Sequence, residues 1–188
     1  TNMRMRKKKH GEERIRACAE LLIDDPSVLM ADPSSPFPDK TKRLCLEIGC
    51  GKGNFAVGTA AKRPDENLIA MEKVPDVCCA ALEKAMACRE ARPDNLRFII
   101  GNADNLNEWF PEHCLDRIYL NFSDPWPKKG HTKRRLTYRG FLEIYRKLLK
   151  EGGVLKLKTD NVGLFDFSLE EFGEAGLTML MQTRDLHH

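Results

Sequence analysis

Short apolar runs alternate with amphipathic segments along most of the chain. Between the runs, helical periodicity predicts helices over 54–62, 77–86, 141–149 and 164–172, with a short helical link at 106–110. The helix predicted over 141–149 is expected to be closed by Gly152-Gly153. The runs themselves are typical of buried strands and cover 44–48, 68–71, 96–100, 117–120 and 154–158. Strands that alternate with helices predict a doubly wound α/β fold with a mostly parallel sheet.

Three further segments complete this interpretation. Ile15, Cys18, Ala19 and Leu22 have helical spacing and predict a short amphipathic helix. The four prolines of 26–38 predict a linker on the surface, and 177–183 predicts a sixth strand. We therefore expect one domain over 1–188, made of a basic arm at 1–10, a helix and linker at 11–42, and a core at 43–188.

Composition narrows the class of protein. Hydrophobic residues make up 41% and charged residues 31%, which is typical of a globular chain. No apolar run is long enough to span a membrane, and no secretory apolar region follows the basic N-terminus. The seven cysteines form no C-x-x-C pair, so we expect neither a metal site nor a disulfide framework, and we expect a cytoplasmic location.

The positive charge is concentrated in two places. Residues 1–10 and 128–139 hold 11 of the 31 Lys and Arg residues and no acid. The rest of the chain has 20 basic residues against 28 acidic ones. This asymmetry favours a polyanionic partner that is bound at two points.

A glycine-rich turn follows the first strand. Gly49, Gly51 and Gly53 are spaced G-x-G-x-G, one residue tighter than a dinucleotide fingerprint. Glu72 ends the second strand, where a carboxylate can accept hydrogen bonds from both hydroxyls of a ribose. Asn102-Ala103 follow the third strand, where they either border an adenine or are only part of a turn. With Glu47, these residues predict a nucleoside site with little phosphate, which favours S-adenosylmethionine over NAD.

A proline-rich loop follows the fourth strand. Asp124 and Trp126 lie in it, and a run of cations comes directly behind. An acid and an aromatic backed by a basic band suit a site that acts on one base of a nucleic acid. Asp160 adds a second carboxylate at the same edge of the sheet. His131 is interpreted as a phosphate contact rather than a general base.

The sequence closely resembles the bacterial tRNA (guanine-N7-)-methyltransferases. The resemblance depends on Glu47 to Gly53, on Asn121 to Lys129 (NFSDPWPKK), on Lys133-Arg134-Arg135-Leu136 and on Lys158 to Asn161, and it covers nearly the whole chain. It implies a Rossmann-like, class I S-adenosylmethionine-dependent methyltransferase. The implied target is a guanine in the tRNA variable loop (position 46), which becomes 7-methylguanosine.

The resemblance also implies roles for individual residues. Asp124 would be the catalytic residue and would also contact the cofactor. Lys128 and Asp160 would hold the substrate guanosine. The remaining implied cofactor contacts are Glu47, Gly49, Gly51, Gly53, Glu72, Asn102 and Ala103, and the implied RNA contacts are Gly130, His131, Thr132, Lys133, Arg134 and Arg135. The protein would be a monomer or a homodimer.

Two departures from the family and three alternatives stay open. Many relatives have Asp where this chain has Asn102, which keeps an acceptor oxygen and loses a charge. Relatives also continue into a Thr-x-x-Glu motif and a last antiparallel strand, so we expect the native chain to extend past residue 188. The alternatives are a methyltransferase for an exocyclic amine, a non-catalytic RNA-binding module and an NAD-linked oxidoreductase.

Overall fold

The fold is built on one five-stranded parallel sheet. The structure is a computed structural model that describes residues 9–88 and 93–180. The strand order is β3-β2-β1-β4-β5, with every neighbouring pair parallel. The strands are β1 (Arg43–Ile48), β2 (Glu66–Glu72), β3 (Leu96–Ile100), β4 (Leu115–Asn121) and β5 (Leu149–Lys158).

Helices connect the strands and cover both faces of the sheet. The α-helices are α1 (Gly11–Arg16), α2 (Asn54–Lys62), α3 (Pro75–Met86), α4 (Leu106–Trp109), α5 (Arg139–Leu148) and α6 (Val162–Glu174). Short 3-10 helices cover Ala19–Leu21, Pro26–Met30, Ala103–Asn105 and Lys129–Arg134. Among the described residues no helix is both long and apolar enough to cross a membrane.

Alternation of side chains along β1 builds the two cores. Leu44, Leu46 and Ile48 pack on one face with α4 and α5, whereas Cys45 packs on the other face with α2 and α3. Because helices cover both faces, the interior strand β1 and its neighbour β2 are buried along almost their whole length. The doubly wound parallel sheet that the sequence predicts is confirmed.

The N-terminal segment departs from the predicted helix. The helix ends at Arg16, and the chain turns through a 3-10 helix so that Leu21 is buried. Leu22 then bridges to Phe98, and the Ile23 amide donates to the Phe98 carbonyl at 2.8 Å. The prediction of one helix through Leu22 is wrong because these residues cover the open edge of β3 instead. Of the basic arm, only Lys9 and His10 lie within the described residues.

The predicted surface linker at 26–38 contributes to the core. Leu29 is 0% exposed and Phe37 is 2% exposed. The Arg97 guanidinium lies 5.6 Å from the Phe37 ring centroid and donates to the Pro36 carbonyl at 3.1 Å. The prolines therefore shape a segment that packs on the sheet, and its description as a linker laid over the surface is wrong.

Of two predictions for the last part of the chain, one is wrong and the other lies partly outside the described residues. Gly152 and Gly153 do not end α5, which stops at Leu148; they lie inside β5, where the pairing with β4 shifts between Leu115 and Arg117. Gly152 has a φ of 77°, which glycine adopts readily. The predicted sixth strand is absent from 177–180, and its remainder lies outside the described residues.

Candidate active site

The order in which successive strands are added reverses between β1 and β4, and a buried carboxylate lies at this switch point. Glu47 of β1 is 1% exposed, and Asn121 of β4 donates its Nδ2–H to Glu47 Oε2 at 2.9 Å. Glu47 Oε1 is buried with no hydrogen-bond partner among the described residues. Burial raises the pKa of the Glu47 carboxyl from 4.5 to about 7; the Asn121 hydrogen bond opposes this rise, and the Glu72 charge adds to it. An unpaired acceptor here is suited to a cationic or hydrogen-bonding ligand group.

The glycine turn lies directly after Glu47. The amides of Gly49 and Cys50 donate to the Met71 carbonyl at 2.8 and 2.9 Å, which fixes the turn to the end of β2. Gly49 and Gly51 have φ values of 79° and 57°, and a side chain at either position would meet nothing within 4 Å. The backbone of the turn therefore faces open space, where a ligand can approach it closely.

Glu72 and the turn are linked. Glu72 Oε1 accepts from the Gly51 amide at 3.2 Å, and Oε2 accepts from the Val74 amide at 2.9 Å. A carboxylate has about four acceptor positions, so each oxygen retains capacity for a ligand hydroxyl. The structure thus brings Glu47, the glycine turn and Glu72 together, as the sequence predicts.

The segment after β3 lies on the far side of Glu72. Asn102 is exposed, and its side-chain oxygen accepts from the Asp104 amide at 3.0 Å. This bond caps the 3-10 helix Ala103–Asn105, in which Ala103 is buried. Because Asn makes the same cap as Asp, the local turn does not require the negative charge.

The Asp124 loop, residues 122–127, follows β4. Its first amide, that of Phe122, donates to the Lys158 carbonyl at 2.7 Å. Phe122 and Trp126 have positive φ values of 52° and 44°, which are uncommon for bulky residues. Asp124 is exposed, and no described residue pairs with its carboxylate. The Ser123 hydroxyl is buried and also lacks a described partner.

Trp126 is half-buried within a cluster of basic side chains. The Arg134 guanidinium lies 5.1 Å from its ring centroid, and the Lys73 ammonium lies 5.5 Å away. The His131 ring contacts it edge-on at 5.5 Å. A tryptophan ring surrounded by cations provides a stacking surface and a positive potential together.

The basic segment, residues 128–135, is more ordered than the sequence suggests. Pro and Gly residues predict irregular structure, but 129–134 form a 3-10 helix. Lys128, Gly130, Lys133 and Arg134 are exposed, while His131 and Thr132 are half-buried. Asp160, beyond the end of β5, is also exposed. Arg135 differs from its neighbours, because its guanidinium donates to the Pro125 and Trp126 carbonyls.

Two residues of the candidate site, Asn121 and Lys73, were not assigned a role from the sequence. Asn121 orients Glu47, and the signal for it is a polar residue at the end of an apolar strand. Lys73 brings a cation to Trp126 from the loop after β2. Lys73 stands directly after Glu72 in sequence, but nothing in the pattern indicates that it meets a loop fifty residues further along.

The residues present fit S-adenosylmethionine. Glu47 Oε1 supplies a buried acceptor for an ammonium group, the open turn admits a ligand against its backbone, and Glu72 supplies acceptors for hydroxyls. In the described part of the chain no group of three or more His, Cys, Asp or Glu residues is arranged to hold a metal ion.

Solved structures share the fold at low identity. One is precorrin-6y C5,15-methyltransferase from Geobacter metallireducens, with a TM-score of 0.56 and 15% identity over 94% of this chain and 74% of that chain. Another is an antibiotic-related methyltransferase, with a TM-score of 0.53 and 14% identity over 91% of this chain and 76% of that chain. These likenesses concern the fold alone.

Comparison with known families identifies this Rossmann-like fold as that of a methyltransferase. A family profile described as "Putative methyltransferase" matches residues 41–188. Proteins named tRNA (guanine-N(7)-)-methyltransferase from Limosilactobacillus reuteri and Mesoplasma florum are each 44% identical, over 99% and 98% of this chain and 85% of their own lengths. One from a Geobacillus species is 41% identical over 99% of this chain and 83% of its own. The chain belongs to the tRNA (guanine-N7-)-methyltransferase family.

Proposed function

We propose that this protein transfers a methyl group from S-adenosylmethionine to N7 of a guanine in the variable loop of tRNA. The observation that supports this most strongly is an oxygen of Glu47 that is buried at the switch point and has no hydrogen-bond partner among the described residues. The neighbouring strand β4 leads into a loop with an exposed carboxylate and an indole that lies beside two cations. The names of the relatives from L. reuteri and M. florum support the substrate and the atom. The site supports the cofactor independently of those names.

Cofactor binding is assigned to the ends of β1, β2 and β3. S-adenosylmethionine supplies a methyl group on a positively charged sulfur when it is bound. Glu47 would accept from its ammonium group, and Glu72 from its ribose hydroxyls. The backbone of Gly49, Gly51 and Gly53 would line the closest approach, Asn102 and Ala103 would border the adenine, and Asp124 would close the site beside the methyl group.

The chemistry of the transfer depends on positioning. Guanine N7 has an in-plane lone pair and needs no deprotonation, so the protein must chiefly hold the nucleophile in line with the methyl group. Positive charge develops on the purine as the new bond forms. Asp124 and Asp160 stabilise that charge and accept the guanine's N–H groups, and Lys128 holds the substrate nucleoside. Asp124 acts by orientation and electrostatics rather than as a base.

The basic segment binds the tRNA backbone. Residues 130–134, with Lys73 beside them, contribute sequence-independent phosphate contacts, and the basic arm adds a second point of contact.

tRNA is a cytoplasmic substrate, so the proposal includes a cytoplasmic location. It is compatible with a monomer or a homodimer. The loops that support it connect the strands of one sheet, and the proposal includes a single domain over 1–188.

The proposal is tested by methyl transfer with identification of the product. Labelled S-adenosylmethionine and unmodified tRNA are incubated with the protein, and the tRNA is digested to nucleosides. Label in 7-methylguanosine is expected. Label in N6-methyladenosine or N4-methylcytidine would support an exocyclic-amine enzyme, and tRNA binding that is indifferent to the cofactor, with no label, would support a binding module.

Asp124→Asn tests the assigned catalytic residue. The change keeps the size of the side chain and removes its charge, so we expect kcat to fall about 100-fold while tRNA affinity is retained. Asp65→Asn is the matched control, because Asp65 is exposed just before β2, at the opposite end of the sheet. Full activity of Asp124→Asn would contradict the assignment.

A further inference from the structure

Arg135 has a different environment from the other cations of the basic segment. Its Nε–H donates to the Pro125 and Trp126 carbonyls at 3.0 and 3.2 Å, and its Nη2 donates to the Trp126 carbonyl at 3.0 Å. The guanidinium carbon also lies 4.5 Å from the ring centroid of Phe167 in α6. The side chain is therefore half-buried between the Asp124 loop and α6. Such a fork of donors over an aromatic ring is specific to arginine.

The Asp124 loop depends on these bonds. Among the described residues, Arg135 is the sole hydrogen-bond donor to the backbone of 123–127. Pro125 and Pro127 have no amide proton to contribute. Trp126 is held at a φ of 44°, a conformation that costs energy for a bulky residue and persists only where its surroundings impose it. The two carbonyls that accept hydrogen bonds from Arg135, those of Pro125 and Trp126, lie on either side of the Cα of this strained residue.

The neighbouring cations Lys133 and Arg134 make no hydrogen bond to the backbone of the Asp124 loop among the described residues. Arg134 is exposed and lies over the face of Trp126, and Lys133 is exposed as well. Both can reach a phosphate without breaking a bond to the loop. For Arg135 to do so, its guanidinium would have to leave two carbonyls and the Phe167 ring.

We infer that Arg135 is a positioning residue for the Asp124 loop and not a contact to RNA phosphates. It fixes the turn that presents Asp124 and Trp126, and it joins that turn to α6 through Phe167. The expected effect on methyl transfer rests on the proposed function. The expected effect on the position of the Trp126 ring does not depend on any reaction.

Arg135→Lys separates the two roles. Lysine keeps the charge, so a phosphate contact would survive in large part. A single ammonium cannot reproduce the planar fork to two carbonyls, so a positioning role would be lost. We expect kcat to fall about 100-fold, with the KM for tRNA changed less than about 3-fold, because a small misplacement of a catalytic group reduces the rate more than the affinity. The slope of log Kd against log salt should be unchanged.

Arg43→Lys is the matched control. It makes the same exchange at an exposed position at the start of β1, at the opposite end of the sheet, so we expect kcat and the salt slope to be preserved. An unchanged kcat in Arg135→Lys would overturn the inference, because a phosphate contact survives the exchange of one cation for another and the fork of donors to the loop does not.

A readout without turnover completes the test. The chain has two tryptophans, so 5-fluorotryptophan labelling gives two 19F resonances. Trp109 lies in α4, packed against Gly101, and serves as an internal reference. Arg135→Lys should shift or broaden the Trp126 resonance and leave that of Trp109 in place. An unmoved Trp126 resonance would overturn the inference, whereas a moved resonance in a protein without methyl transfer would support it and refute the proposed function alone.

Discussion

Replacing Glu47 with glutamine should remove a pH-dependent loss of stability. Glu47 is 1% exposed, and burial raises the pKa of its carboxyl from 4.5 to about 7 in the folded protein without ligand. Below pH 4.5 the carboxyl is protonated in the folded and unfolded chains alike, and it carries no penalty. Between pH 4.5 and about 7 the unfolded chain releases the proton first, so stability falls as the pH rises. Above about 7 the loss is complete.

The size of the effect follows from the pKa. A rise from 4.5 to about 7 corresponds to about 3 kcal/mol at 25 °C. Glutamine stays neutral and can accept the Asn121 hydrogen bond through its carbonyl. Its amide N–H would take the position of the unpartnered oxygen, at a cost of about 1–3 kcal/mol that does not vary with pH. The quantity to follow is therefore how the difference between variant and parent changes with pH.

Urea unfolding at several pH values between 4.5 and 8 measures this difference. The stability of Glu47→Gln relative to the parent should rise by about 3 kcal/mol across the range, which corresponds to a change in relative Tm of about 6–12 °C. Glu108→Gln, an exposed carboxylate in α4, should show no such trend. If the stability difference between Glu47→Gln and the parent is constant with pH, burial does not penalise the charged form of Glu47 as argued here.

Two further substitutions test the packing behind the site. Gly53→Ala would place a Cβ 2.8 Å from that of Ala81 at a φ of 85°, so the free energy of unfolding should fall by about 2–4 kcal/mol in urea. The control is Gly58→Ala, which lies in open space within α2 and should be neutral or slightly stabilising. Equal effects of the two substitutions would contradict this reasoning. Arg117→Met leaves Glu66, whose side chain is 8% exposed, without its bonds of 3.0 and 3.1 Å and should cost about 3 kcal/mol. Arg63 Nη1 also lies 3.3 Å from Glu66 Oε1, and a loss below about 1 kcal/mol would show that this remaining contact is enough.

The regular part of the fold could be predicted because its signals are local. Helix 54–62 and strand 96–100 match their predicted bounds, since a glycine turn or a proline marks each limit and the apolar pattern fills the interior. The glycine turn and Glu72 meet because carboxyl ends of neighbouring parallel strands share one edge.

The failures have a common cause in contacts that are distant in sequence. The helical pattern that ends at Leu22 gave no sign that this segment covers the edge of β3. Apolar residues among the prolines of 26–38 gave no sign that Phe37 meets Arg97 across the sheet edge. Likewise, a run of cations indicates a polyanion but not that Arg135 turns towards backbone carbonyls. Charge patterns specify how many cations there are, and only packing specifies where each one points.

The central claim is that N7 of a tRNA guanine receives the methyl group. Two otherwise identical tRNAs test it, one with guanine in the variable loop and one with 7-deazaguanine, in which a single ring nitrogen becomes C–H. The claim predicts transfer of label from S-adenosylmethionine to the first tRNA only, with both tRNAs bound equally well. Equal labelling of both would contradict it and move the reaction to another atom.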